Sequence, residues 1–332
     1  MKNFYVNYPG QKPNFTTINE AIAAIPEDNC EEVMIHIAPG TYRELIELRK
    51  PYVTFLGEHA EDTTIVFGHY ANEEMEDGTK RGTFRSYSVL IDTHDFTARN
   101  ITFQNDAGYG YQVGQALALY VDGDKCAFYH CRLLGSQDTL FTGPLPGKEV
   151  HPGGFVGPKE FAPRINGRQY YKNCYFRGDV DFIFGSATAY FEECEIFSQN
   201  RPDAYNPWDG HDLDKVPVHG YVTAASTPED QKYGYVMDRC RFTSDCPPGS
   251  VYLGRPWRQH AQTILLNCEL DAHIRPEGWN DWNKPHETIR YAEYKSYGPG
   301  ANPDARADFS KQLSEEEAAE FTREKVLGDW AV

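Results

Sequence analysis

Six short segments of this 332-residue chain repeat one pattern, and that pattern limits the possible folds more than any other feature. Ala98-Arg99-Asn100-Ile101-Thr102-Phe103 is echoed by Phe128-Tyr129-His130-Cys131-Arg132-Leu133 and by Tyr171-Lys172-Asn173-Cys174-Tyr175-Phe176. Phe191-Glu192-Glu193-Cys194-Glu195-Ile196, Met237-Asp238-Arg239-Cys240-Arg241-Phe242 and Leu266-Asn267-Cys268-Glu269-Leu270 complete the set. Each unit runs from an aromatic or aliphatic residue through a polar one to Asn or Cys, then into an apolar strand. Counting Asn100 as equivalent to the five cysteines, the spacings fall between 20 and 46 residues. The shortest is about one turn of a solenoid, and the longer ones imply extra turns or long loops. Irregularly spaced short strands with polar turns predict an all-β fold, a parallel β-helix. The length then resolves into one solenoid over 1–332 in place of two domains.

The repeat also accounts for the cysteines. Five of the eight (Cys131, Cys174, Cys194, Cys240, Cys268) hold equivalent places and would stack inward as small apolar side chains. Disulfide bonding and zinc are the alternatives. No CxxC pair supports zinc, and the cysteine density is below that of a disulfide scaffold.

Lys and Arg number 32 against 49 Asp and Glu, a net charge of −17. That balance argues against nucleic acid or an anionic membrane as partner, and no apolar run reaches about 18 residues. A strongly anionic polymer should also be repelled unless the binding site has a different local balance. Aromatics make up 14%, with 22 Tyr and 5 Trp, which suits flat ligand faces such as sugar rings as well as ordinary rim positions. The start, Met1 to Phe15, shows no export signal. The expectation is a cytoplasmic protein if the chain is whole and a secreted one if a signal has been removed.

Thr16 or Thr17 should cap a helix with Ile18, Ala21, Ile22 and Ile25 on one face, Glu20 reaching back, and Pro26 as its end. Strands follow at 33–37, 53–57 and 64–67. Segments 69–82, 142–166, 199–219 and 271–300 are rich in Gly, Pro and charge and should wall a groove. The tail reads as one helix from a Ser314 cap, with Glu317 completing the box, to Gly328. It should pack along the solenoid or cover an open end.

Polar islands interrupt the strands: Gln115 in Gln-Ala-Leu-Ala-Leu, Gln137 and Asp138 in Ser-Gln-Asp-Thr-Leu, Asp181 in Asp-Phe-Ile-Phe-Gly, and Arg255 and Trp257 in Leu-Gly-Arg-Pro-Trp. Adjacent turns of a solenoid lie about 4.8 Å apart, so these distant residues can share one face. Each has a structural reading too. Gln115 could bridge turns as a buried amide, Asp138 could cap a turn, Asp181–Arg255 could be a structural ion pair, and Trp257 could be core. An unpaired carboxylate inside Asp-Phe-Ile-Phe-Gly would be costly, which favours the pair.

In order, Gly40-Thr41-Tyr42-Arg43-Glu44, Gly82-Thr83-Phe84-Arg85-Ser86, the four islands and Phe321-Thr322 resemble the pectin methylesterase family (pectinesterases, carbohydrate esterase family 8). The resemblance spans nearly the whole chain. It implies a right-handed parallel β-helix that hydrolyses galacturonate C6 methyl esters, in pectin or methyl-esterified oligogalacturonides, to carboxylate and methanol. Carried over, Asp181 is the nucleophile that forms an acyl-enzyme, and Asp138 the general acid and then base. Gln115 and Gln137 donate to the oxyanion, and Arg255 orients Asp181. Trp257, Thr83, Phe184 and Tyr42 contact substrate.

A monomer without metal or cofactor is expected, with activity that survives a chelator. Two departures stand out. Ser136 replaces the aromatic usual in the family before Gln-Asp-Thr-Leu, and 142–166 is longer than in many relatives, which should narrow the groove and favour short oligomers. The acidic balance should favour esterified, uncharged units and release of the carboxylate. Rival readings are a polygalacturonase, for which the Asp-Asp pair and Gly-His-Gly are missing, a calcium-dependent β-helix lyase, which needs clustered carboxylates in the groove and a basic proton abstractor where the acidic run Glu73 to Asp77 reads as a solvated loop, and a non-catalytic carbohydrate-binding β-helix.

Overall fold

Short parallel strands stack into three sheets of 12, 8 and 7 strands in the computed structural model, which describes residues 1–201 and 217–332. From Val33–Ile37 to Glu269–Leu270 successive strands go to successive sheets, so neighbours within a sheet there come from successive turns of the coil. The fold is the expected right-handed parallel β-helix. The 199–219 segment falls largely on residues 202–216, outside those described.

In-register pairing turns the sequence repeat into columns of like side chains. Phe55, Ala98, Phe128, Tyr171, Phe191, Met237 and Leu265 line up inside the 12-stranded sheet. Tyr171 lies parallel between Phe128 and Phe191, with ring centroids 4.8 Å away on each side. Ile46, Val89, Leu119, Leu140 and Ile183 do the same for the 7-stranded sheet. Period-two alternation sends the intervening side chains outward, where one sheet face becomes available for chemistry.

The repeat's register needs a one-residue correction. Asn100 is not in the cysteine column. It is a corner with φ of 56°, equivalent to His130, Asn173, Glu193, Arg239 and Asn267, all left-handed. One such residue bends the chain from the 12-stranded to the 8-stranded sheet, and the next side chain points inward. That next position holds Ile101, then Cys131, Cys174, Cys194, Cys240 and Cys268, linked by backbone bonds of 2.9 Å from each turn to the one before. These are consecutive turns, so the long spacings are loops and not extra turns. All eight thiols are free, and the five in the column are buried. Burial pushes the Cys131, Cys194 and Cys268 thiols up, which keeps them neutral packing groups.

Thr17 caps the helix Ile18–Ala23 through the expected box with Glu20, although the helix stops before Ile25. The tail differs from expectation. It forms two short helices, Glu315–Ala318 and Arg323–Leu327, broken by a 3-10 turn over Ala319–Phe321 and recapped by an extended Thr322. The break lets Phe321 meet the Tyr233 ring at 6.0 Å while Val326 and Leu327 bury against the outer face of the 12-stranded sheet. A second correction concerns 271–300, which contains the strand Arg290–Tyr294 paired with both Gln262–Leu266 and Ser310–Gln312.

The thiol arrangement predicts the outcome of a titration with an aromatic disulfide reagent. In the folded protein the exposed Cys30 should react at once and the half-buried Cys246 slowly. The remaining six should react only on unfolding. Rapid reaction of three or more thiols would contradict the column.

Candidate active site

The polar islands converge on the outer face of the 7-stranded sheet. Gln115 precedes the strand Leu119–Val121, and Gln137 and Asp138 form the turn before Leu140–Thr142. Asp181 lies in Val180–Gly185, and Arg255 follows Val251–Gly254. Both aspartates have left-handed backbones, with φ of 63° at Asp138 and 51° at Asp181. Such strain in non-glycine residues gathers at functional sites.

A bulge presents Asp181. Val180 pairs with Tyr221 and Ile183 with Thr223, so Asp181 and Phe182 together stand opposite the single Val222. Phe182 turns into the core and Asp181 into the cleft. Arg255 reaches Asp181 from two strands away, across Gly220–Ala225. Its Nε and Nη2 donate to Oδ1 and Oδ2, each at 2.8 Å, a bidentate pair with both partners buried. Ala224, which pairs with Phe184, is small enough to leave that path open. Gly254 is equally constrained, because a Cβ there would meet Thr223 Oγ1 at 2.1 Å. The guanidinium is held between two aromatic faces, 3.9 Å from the ring centroids of both Tyr221 and Trp282.

Asp138 is in the opposite situation. Its burial, with the nearby Asp181 charge adding to it and Arg255 opposing, holds its proton well above the usual carboxylate range. One carboxylate locked by a cation beside one carboxyl that keeps its proton is the asymmetry an acid–nucleophile pair needs.

These groups line a cleft of about 510 Å³. Its floor is formed by Ala224, Phe184 and Phe84, and the first two belong to an outward column that Phe141 and Tyr120 continue across the sheet, packed against Phe84. Trp257 stands on this floor, 5.6 Å from the Phe184 ring centroid, and Thr83 enters from the 3-10 turn Thr83–Arg85. Gln115, Gln137, Asp138, Asp181, Arg255, Trp257, Phe184 and Thr83 therefore share one site, as expected.

Tyr42 does not, and this expectation is corrected. It heads the inward column of the 8-stranded sheet, continued by Ile65, Phe103, Leu133 and Phe176, and its hydroxyl donates to the Ala38 carbonyl at 2.8 Å. Its motif is a core motif. Ser136 brings no ring to the cleft, and its hydroxyl accepts from Gln199 Nε2 at 2.8 Å.

The loops contribute unequally. Segment 142–166 supplies Val150, His151, Gly154 and Phe155 to the cleft wall. Segment 69–82 works through backbone, with Ala71 N–H donating to Gln115 at 2.8 Å and Gly82 N–H to Ala71 at 3.0 Å. Sequence reasoning missed Tyr221, Trp282 and Arg258. A tryptophan in a loop rich in Gly, Pro and charge was the available signal for Trp282.

The Pectinesterase family model matches residues 6–144 and 164–329. The chain belongs to the pectinesterase family. Pectinesterase 31 of Arabidopsis thaliana is 34% identical over 323 residues, covering 95% of this chain and 89% of that protein. A pectin methylesterase crystallised in complex with a hexasaccharide is 31% identical with a TM-score of 0.81, covering 99% of this chain and 97% of that one. The pectin methylesterase PemA from Erwinia chrysanthemi gives 31% identity and a TM-score of 0.80. This pectinesterase is accordingly a carboxylic ester hydrolase with pectin methylesterase activity. The family match skips 145–163, so most of the loop that carries Val150, His151 and Phe155 is additional to the family pattern.

The raised Asp138 pKa has a consequence for stability. The unfolded carboxyl loses its proton near its ordinary 3.8 while the folded one keeps it, so the folded state becomes relatively less favourable as pH rises from about 4. The Asp138→Asn pectinesterase should melt at higher temperature than the parent at neutral pH, with the gap closing towards pH 3. Melting curves followed by circular dichroism across that range check this. A gap independent of pH would count against it.

Proposed function

We propose that this pectinesterase hydrolyses galacturonate C6 methyl esters, of pectin or of methylated oligogalacturonides, through an acyl-enzyme on Asp181. The observation that carries the mechanism is the contrast between two adjacent buried carboxyls. Asp181 is gripped on both oxygens by Arg255, and Asp138 retains a proton. The relative crystallised with a hexasaccharide supports an oligosaccharide in a cleft of this kind.

Asp181 attacks the ester carbonyl carbon, and the negative charge that builds on the carbonyl oxygen is met by the Gln115 and Gln137 side-chain N–H groups. Parallel pairing has consumed the backbone N–H groups of the strands, which leaves side-chain amides as the donors. The C–O bond to the methoxy group breaks as Asp138 gives it a proton, and methanol leaves. Asp138, now a carboxylate, takes a proton from water. The resulting hydroxide attacks the acyl carbon, the bond to Asp181 breaks, and galacturonate departs with both aspartates restored. Arg255 is a positioning residue for Asp181. Trp257, Phe184 and Thr83 hold sugar units along the cleft, and the additional loop closes one end of it, which favours short oligomers.

Asp181→Asn should show no methanol release above background. It also removes the carboxylate charge that Arg255 grips on both oxygens, so a melting curve must accompany the assay. Gln115→Ala and Gln137→Ala should each lower kcat about 10²–10³-fold. An Asp181→Asn protein that retains most activity would overturn the mechanism. For the loop, turnover per ester should be higher on methylated trimers and tetramers than on polymeric pectin, and equal turnover would remove its proposed role.

A further inference from the structure

The two amides that meet the oxyanion belong to long, flexible side chains. Donors aimed at a developing charge work only when their positions are set in advance. Among the described residues no hydrogen bond holds the side-chain amide of Gln115 or of Gln137. Contact must do what hydrogen bonding does not.

That contact comes from a single turn of helix, Gly110–Val113, lying between the strands Thr102–Asn105 and Leu119–Val121. The turn starts beside Gln137. A Cβ placed on Gly110 would fall 2.5 Å from Gln137 Cβ, 2.6 Å from its Oε1 and 3.3 Å from its Cδ. The amide oxygen is thus turned towards the helix, and the N–H₂ end, farther off than these atoms, is left to the cleft that Gln137 lines. The turn finishes at Gln115. Gly114 N–H closes it by donating to the Gly110 carbonyl at 2.7 Å, and Gln115 is the next residue. This second end is tied to the 69–82 segment, with Asn72 N–H donating to Val113 at 3.1 Å and Ala71 N–H to Gln115 at 2.8 Å. One helical turn therefore runs from one donor to the other.

The glycines of this segment are required for different reasons. Gly108 and Gly114 have φ of 124° and 79°, backbones that call for glycine. Gly110 opens a right-handed turn, where alanine is the better helix former. Only the approach of Gln137 demands glycine at 110. We infer that Gly110 is a positioning residue for Gln137, and that the turn Gly110–Val113 sets the spacing of the two oxyanion donors. This rests on the oxyanion role proposed above and adds what holds those donors in place. A methyl group at 110 pushes the Gln137 amide off its line, while Trp257, Phe184 and Thr83 stand on other elements and keep their places. The loss should then fall on kcat and spare KM.

The test measures methanol release from methylated oligogalacturonides by the parent, Gly110→Ala, Gln137→Ala and the double variant. Gln112→Ala, an exposed position on the same turn, is the control, and each protein has its own melting curve. Gly110→Ala should lower kcat about 10²-fold with KM little changed, the cost of a misplaced group. In the Gln137→Ala background it should add no further loss, because the amide is already gone, and Gln112→Ala should match the parent. Parental kcat in Gly110→Ala, a loss confined to KM, an equal loss in Gln112→Ala, or an equal further loss in the Gln137→Ala background would each overturn the inference. Should Gly110→Ala lack a cooperative melting transition, Gln137→Asn decides, since its amide falls one methylene short and the turn is untouched. Parental kcat there would mean that the amide needs no positioning, and a loss like that of Gln137→Ala would support the inference. Gln137→Ala with parental kcat would instead overturn the oxyanion role itself, so the two failures are distinct.

Discussion

Parallel pairing in register is the constraint on which everything else in this molecule depends. Once a strand of one turn lies about 4.8 Å from its equivalent in the next, each position along the turn becomes a column with one fate. The Phe128, Tyr171 and Phe191 rings stack because their positions are equivalent. The same rule puts Ala224, Phe184, Phe141 and Tyr120 side by side on the outside, and the first two of them floor the cleft under its polar groups. Residues more than a hundred apart in sequence, Gln115 and Arg255, reach one cleft only because the coil returns to the same face several times.

The chemistry is placed where that regularity is broken. Asp138 sits in a strained turn, Asp181 on a bulge, and Arg255 at the end of a strand, reaching across its neighbour. The breaks are costly, and the surroundings hold them in place. Bidentate bonding fixes Asp181, and the Tyr221 and Trp282 faces fix the guanidinium from both sides. Asp138 receives no cation of its own and stays protonated. Two chemically identical side chains thus acquire opposite character from their settings. Most of the site's preorganisation resides in groups that never need to touch the reacting ester.

The coil and most of the cleft were legible in the sequence because both leave periodic marks. Apolar columns write themselves as repeats, and polar residues inside apolar runs show where an outer face has been adapted. What escaped reading has definite causes. Asn100 looked equivalent to the cysteines because the left-handed corner and the inward position after it are adjacent, and a polar residue suits the first as a small one suits the second. Tyr42 lies in a motif associated with the family, yet its register with Ile65 assigns it to the interior. The strand Arg290–Tyr294 was hidden because Glu293 makes it look polar, although that carboxylate is buried against Arg306 at 2.7 Å. The tail reads as one unbroken helix in the sequence because nothing local announces that Phe321 must turn aside to meet Tyr233. Tyr221 and Trp282 became meaningful only once Arg255 had a location.

The additional loop leaves the coil after Leu140–Thr142 and rejoins it at Arg168–Lys172, and both of these strands are fixed by pairing with their neighbours on either side. Its two ends are therefore anchored whatever lies between them, and lengthening such a segment adds only a slowly growing closure entropy. The family match breaks off at 144 and resumes at 164 without disturbing the turns around it. The cleft rim at this corner behaves as an interchangeable part. Segments of different length and composition could be exchanged here, in nature or in the laboratory, to reshape the end of the groove while the catalytic face beneath keeps its geometry.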